Sequence, residues 1–178
     1  VAVDDDQKLE PEKASAYIHS VGVALHSAID RGDIVFTTRE LARMLIEPTV
    51  AAWECLFRLA RYQSGTKDLV QVIEAPRRED PYETLRVYSD ANWAQCRQTR
   101  RSVTCGVIVV GHTTLGVYCR GQTSLALSSA EAEFNGGVTA ASEGVWFTQV
   151  LLHCGLGKMV PEVHLDSSAA RGVWQGHG

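Results

Sequence analysis

No stretch of this 178-residue chain stays apolar for the roughly 20 residues that a membrane span needs. Its first residues, Val1-Ala2-Val3-Asp4-Asp5-Asp6, are acidic where a secretory signal would be basic and then apolar. A soluble intracellular protein of the cytoplasm or nucleus, without a membrane partner, is expected. Methionine is absent from position 1, and a piece of a longer chain is expected. The five cysteines, Cys55, Cys96, Cys105, Cys119 and Cys154, include no C-x-x-C pair. They indicate neither a disulfide framework nor a zinc site, fit a reducing compartment, and predict no disulfide-linked partner. The six histidines, His19, His26, His112, His153, His164 and His177, show no metal-ligand spacing with one another or with cysteine. Ser128 and Ser129 lack a neighbouring base and are not candidate nucleophiles.

An excess of basic charge is missing as well, since the formal net charge is −4. The acidity is confined to one half. Before Leu85 there are 15 acidic and 10 basic residues, and from Leu85 onward 6 and 7. Between Ala91 and Ala130 no Asp or Glu occurs, while Arg97, Arg100, Arg101 and Arg120 all do. A locally basic stretch of this kind can track phosphates, although a solvated loop with ordinary arginines has the same composition.

What is present divides into two styles. Residues 1–11 are acidic and expected to fray. Three helices are expected next: residues 14–28, with Tyr17, Ile18, Val21 and Leu25 at three- and four-residue intervals; residues 34–46, stopped near Pro48; and a third beginning after Thr49 as N-cap and ending at Ser64-Gly65. A short strand over 69–73 and the polar, proline-bracketed stretch 76–81 then mark a boundary, giving a helical segment over 1–80 and a second domain over 81–178.

The second domain reads as strands 85–89, 103–110 and 114–120, a helix 129–154 on the stripe Phe134, Val138, Ala141, Val145 and Leu152, a strand 160–165, and a helix 167–174. The order β-β-β-α-β-α implies an α/β fold with a mixed sheet. Trp93 and Trp146 are expected in the core rather than as base-stacking residues.

Three carboxylates fall where these elements begin or end. In Leu85 to Asp90, alternation puts Leu85, Val87 and Ser89 on one face and Arg86, Tyr88 and Asp90 on the other. Ser128-Ser129-Ala130-Glu131 fits a capping box, which gives Glu131 a structural task. Glu133 lies about 200° further round the helix and can face the Asp90 end. Asp166 stands where the last strand hands over to a helix. Each alone has an ordinary reading as a cap or a dipole-stabilising residue. Brought together, they would repel unless a cation neutralised them, and an oxygen-only donor set suits Mg²⁺ or Mn²⁺. Two such ions about 4 Å apart serve phosphodiester cleavage.

Tyr88-Ser89-Asp90-Ala91-Asn92-Trp93-Ala94, Gln98-Thr99-Arg100-Arg101-Ser102, Leu127-Ser128-Ser129-Ala130-Glu131-Ala132-Glu133-Phe134, Glu143-Gly144-Val145-Trp146 and Leu165-Asp166-Ser167-Ser168-Ala169 together resemble the ribonuclease H domain of copia-type LTR retrotransposon Pol polyproteins. Earlier, Asp33-Ile34-Val35, Pro48, Trp53, Arg58, Arg61-Tyr62 and Gly65-Thr66 are similar to the segment closing that family's reverse transcriptase region. The resemblance implies a ribonuclease H-like fold, cleavage of the RNA strand of an RNA/DNA hybrid, and a divalent-metal site on Asp90, Glu133 and Asp166. Arg100 and Arg101 would be phosphate contacts, and the rest of the Pol polyprotein a partner. That family uses a fourth acidic residue on its final helix, which the sequence up to Gly178 does not contain; a weakly held second ion and low or absent activity are expected. Gly136-Gly137 replace bulkier residues, and Cys55-Leu56-Phe57-Arg58 stands where relatives often carry lysines. No acidic polymerase motif is present, so no DNA synthesis is expected. A catalytically inactive element remnant, binding nucleic acid or only folding, stays open beside the enzyme, as does an unrelated α/β domain in which the acids are caps.

Overall fold

A computed structural model describes residues 7–74, 84–96, 99–174 and 176. The stretch 76–81, Arg97 and His177 lie outside the described residues. The chain divides into two compact units, Val1–Val70 and Gln71–Gly178. No described helix is long and apolar enough to cross a membrane.

The first unit is helical. Helix α1, Pro11–Ser27, starts three residues before the expected position because Pro11 suits the first helical turn, where its missing N–H goes unused. Its buried face, Tyr17, Val21 and Ala24, follows the three- and four-residue spacing read from the sequence. A short 3₁₀ turn, Gly32–Ile34, leads into α2, Val35–Ala42. This helix ends four residues sooner than expected. The Met44 and Leu45 amides turn back to the Leu41 and Ala42 carbonyls at 3.0 and 3.3 Å, and Glu47 precedes Pro48, which disfavours helical backbone. Helix α3, Val50–Gly65, opens on Thr49, whose hydroxyl accepts from the Ala52 amide at 3.2 Å. Tyr17, Val21, Ile34, Leu41, Ala52, Leu56 and Leu59 form the core. Buried Tyr17 satisfies its hydroxyl by donating to the Leu41 carbonyl at 2.7 Å.

The second unit is an α/β layer. Strands β1 (Thr84–Asn92), β2 (Val103–Val110), β3 (Thr113–Gly121) and β4 (Val160–Leu165) form one sheet in the order β3-β2-β1-β4. Neighbours β1/β2 and β2/β3 are antiparallel, whereas β1/β4 is parallel. Helices α4 (Ser129–His153) and α5 (Ser168–Trp174) complete the order β-β-β-α-β-α. This mixed α/β architecture, preceded by a helical segment, is compatible with a ribonuclease H-like fold. Strand β1 runs to Asn92, so Asp90 lies within it rather than at its end, and burial alternates along it as its sequence implies.

The strand expected over 69–73 does not form. Leu69, Val70, Val72 and Ile73 are exposed, and the Glu74 amide meets the Thr113 hydroxyl at 2.9 Å while the Gln71 side chain donates to the Thr114 carbonyl. Side-chain tethers stand where a ladder of backbone bonds would be.

Helix α4 also turns a different face inward from the one expected. Val138, Val145 and Leu152 are exposed; Ala132, Glu133, Gly136, Gly137, Ala140, Gly144, Thr148 and Leu151 are buried. Small residues let the helix lie close on the sheet. A Cβ on Gly144 would stand 3.1 Å from the Pro161 Cβ and 3.2 Å from Val87, and one on Gly137 would stand 3.0 Å from Leu165. Both tryptophans expected in the core are partly exposed, Trp93 at 46% and Trp146 at 58%. Trp93 keeps its indole N–H on the Ala126 carbonyl at 2.9 Å, and Trp146 packs edge-on against Phe147.

Candidate metal centre

Strand β1 sets the first candidate ligand. Its alternation points Ser89 and Ala91 toward α4 and leaves Asp90 exposed. Parallel pairing of β1 with β4, in which Ser89 faces Leu165, carries the following residue, Asp166, to the same end of the sheet. Asp166 is exposed and is not the α5 cap: the Ser167 hydroxyl accepts the Ala170 amide at 3.2 Å. At the start of α4, Ser128 accepts from the Glu131 amide at 3.1 Å, while the Glu131 carboxylate takes the Leu127 amide at 2.7 Å. The reciprocal half of the cap therefore reaches one residue further back than the expected Ser128 amide. Glu131 is occupied there, and Glu133, one turn in, faces the sheet.

Asp90, Glu133 and Asp166 each offer a carboxylate oxygen, and these oxygens lie within 4.8 Å of one another. Glu133 is 9% exposed. One of its oxygens accepts from the Ala91 amide at 3.2 Å; the other, Oε2, is buried without a hydrogen-bond partner. Burial pushes the Glu133 carboxyl above the usual range; the Ala91 amide opposes that shift, and the charges of Asp90 and Asp166 add to it. Among the described residues no Lys or Arg forms an ion pair with any of the three. Three clustered carboxylates with an orphaned buried oxygen fit a hard divalent cation, whose ligands are oxygens.

Arg100 and Arg101 are exposed on the loop joining β1 to β2. Arg100 adopts φ 54°, and its amide donates to the Cys96 carbonyl at 2.7 Å. This loop leaves the sheet at the end where Asp90 and Asp166 meet, because Asn92 pairs with Val103.

One supporting residue escaped sequence reasoning. Gln122, buried just after β3, donates to the Thr104 hydroxyl and the Ala132 carbonyl, both at 2.8 Å, and so pins the turn of α4 that carries Glu133. Its only signal was a polar residue adjoining a strand, which is too common to single out. Ser102, which closes one of the segments that carried the resemblance, accepts from the Ala94 amide at 3.1 Å and fixes the bend after Asp90.

On the open face of the sheet, a cleft of about 420 Å³ is lined by Tyr88, Asp90, Cys105, His164 and Asp166 among others. The Tyr88 and His164 rings stack there at 4.8 Å.

No family model matches the chain, and no solved structure matches it. It is 27% identical over 143 residues to the retrovirus-related Pol polyprotein from transposon RE2 of Arabidopsis thaliana, over 80% of this chain and 10% of that one. To the Pol polyprotein from transposon TNT 1-94 of Nicotiana tabacum it is 26% identical over 155 residues, over 86% of this chain and 11% of that one. To the secreted RxLR effector protein 161 of Plasmopara viticola it is 28% identical over 133 residues, 74% of this chain and 91% of that protein. The chain thus spans about a tenth of the length of the polyproteins it matches.

Proposed function

Starting from kinship with copia-type retrotransposon Pol polyproteins, we propose that this chain carries a ribonuclease H-like nuclease site acting on the RNA strand of RNA/DNA hybrids. Residues 81–178 would be the ribonuclease H-like domain, and residues 1–80 the close of the reverse transcriptase region. The observation carrying the proposal is the convergence of Asp90, Glu133 and Asp166, from three separate elements, to within 4.8 Å.

In this reading Asp90, Glu133 and Asp166 hold Mg²⁺ or Mn²⁺. A bound ion supplies Lewis-acid stabilisation of the charge that develops in phosphodiester cleavage. Glu133, buried on α4 and held by the Ala91 amide, is the fixed member of the set beside the exposed Asp90 and Asp166. Arg100 and Arg101 contact phosphates of the hybrid and orient it, in a stretch that contains no competing acid. The proposed setting is the cytoplasm or nucleus, together with the rest of the polyprotein.

The test is cleavage of a labelled RNA/DNA hybrid in Mg²⁺ and in Mn²⁺, beside Asp90→Asn. Cleavage of the RNA strand that needs both the ion and Asp90 is expected. Its absence in both ions would reject the nuclease and leave a catalytically inactive remnant.

A further inference from the structure

The register of the sheet aligns Asp90 with Cys105 on β2, and Cys105 with Cys119 on β3, so the three stand in one row across the strands. The row lies on the face opposite α4, because the alternate residues Ser89, Ala91 and Thr104 are the ones next to Gly136 of that helix. The two sulfurs are 2.8 Å apart. Directly opposed residues of an antiparallel pair have Cα atoms about 4.5–5.5 Å apart, inside the 4.4–6.8 Å that a disulfide spans. Both side chains are half-buried thiols, and the cleft beside Asp90 reaches Cys105. A small oxidant has a path to a sulfur whose partner is already in place.

We propose that Cys105 and Cys119 form a reversible redox site, closed to a cross-strand disulfide by hydroperoxides and reopened by dithiols. In the closing reaction one thiolate attacks a peroxide oxygen, the O–O bond breaks, and a sulfenic acid forms with release of water or an alcohol. The second sulfur then attacks the first, forming the S–S bond and displacing the hydroxyl as water. The two thiols together lose two electrons, which the peroxide gains, and both thiol protons end in the oxygen products. The bond fastens β3 to β2 in the row that contains Asp90 and does not depend on whether that aspartate binds a metal. Reopening is thiol–disulfide exchange through a mixed disulfide.

The test treats the reduced full chain with hydrogen peroxide, blocks remaining thiols and maps peptides without reduction. The expected result is a linked Cys105–Cys119 peptide, a titratable thiol count lower by two, and full return of those thiols with dithiothreitol. Cys105→Ser should abolish the linked peptide. A Cys55→Ser, Cys96→Ser, Cys154→Ser variant should keep it, and the wild-type peptide map decides the matter should that variant not fold. Oxidation that ends in sulfinic or sulfonic acids at 105 and 119, in disulfides between chains, or in other pairings would overturn the proposal.

Discussion

Glu133 is held in a position that opposes its charge: burial, Asp90 and Asp166 all favour its neutral form. Without a cation, like charges at the site weaken the second unit. Asp90→Asn, which removes one of those charges, is therefore expected to raise its ion-free stability. If the site holds the ion as proposed, the same change should remove stabilisation by Mg²⁺, which in the wild type would amount to about 2.7 kcal/mol at a hundredfold excess over the dissociation constant. Thermal melts with Mg²⁺ and with a chelator read both effects. In the first unit the sign of the electrostatics reverses. The Arg31 guanidinium, donating to both Asp33 oxygens, and the Tyr62 hydroxyl hold the Asp33 carboxyl down to about 2 from an ordinary 3.8. A depressed carboxylate contributes stability above its unfolded pKa and loses it as pH falls through the folded one. Asp33→Asn should thus cost about 1 kcal/mol at neutral pH, a figure reduced for partial exposure. The deficit should shrink as pH falls from 3.8 toward about 2 in denaturant titrations. The clustering of the acids was legible because Asp90 lies two residues inside the end of β1, Glu133 one turn into α4 and Asp166 just after β4, where alternation and capping restrict what a side chain can face. The exposure of Trp93 and Trp146 was not legible, since it depends on which neighbours reach them.

Among the elements, β2 and α4 show what sequence periodicity does and does not carry. The bounds of β2 follow from its β-branched run, and those of α4 from Ser128 and Gly155. The inward face of α4 did not follow from apolar periodicity, because a helix packed closely on a sheet buries its smallest residues there. Gly136 and Gly106 test the distinction. A Cβ on Gly136 would have ordinary contacts of 3.4 Å or more, so Gly136→Ala should be neutral or add up to about 1 kcal/mol through helix propensity. A Cβ on Gly106 would lie 2.3 Å from the Tyr118 ring, which crosses the strand there. Gly106→Ala should cost about 1–3 kcal/mol as an overpacked site, and Tyr118→Leu should recover part of that loss. Urea midpoints of the four proteins measure this.

At the scale of the whole molecule, two units with separate cores predict separate unfolding. Trp53 belongs to the first unit, and Trp93, Trp146 and Trp174 to the second. With Trp53 as the sole tryptophan, fluorescence should report a transition that Asp33→Asn shifts and Gly106→Ala leaves in place. Coincident shifts would show that the units unfold together. The sequence changes from helical to alternating patterns between the two units. The absence of a strand over 69–73 was not legible, because those residues have strand-like composition and only pairing decides the outcome.

The parallel pairing of β1 with β4 also sets an order of assembly. Between Asp90 and Asp166 lie β2, β3 and the whole of α4, so closing that pair is a long-range event with a large entropic barrier. As the chain emerges during synthesis, β1, β2 and β3 can form their meander while Asp90 still stands apart from Asp166. The crowding of negative charge is thereby deferred to the last docking step, when the sheet and helix that must bear it are already built.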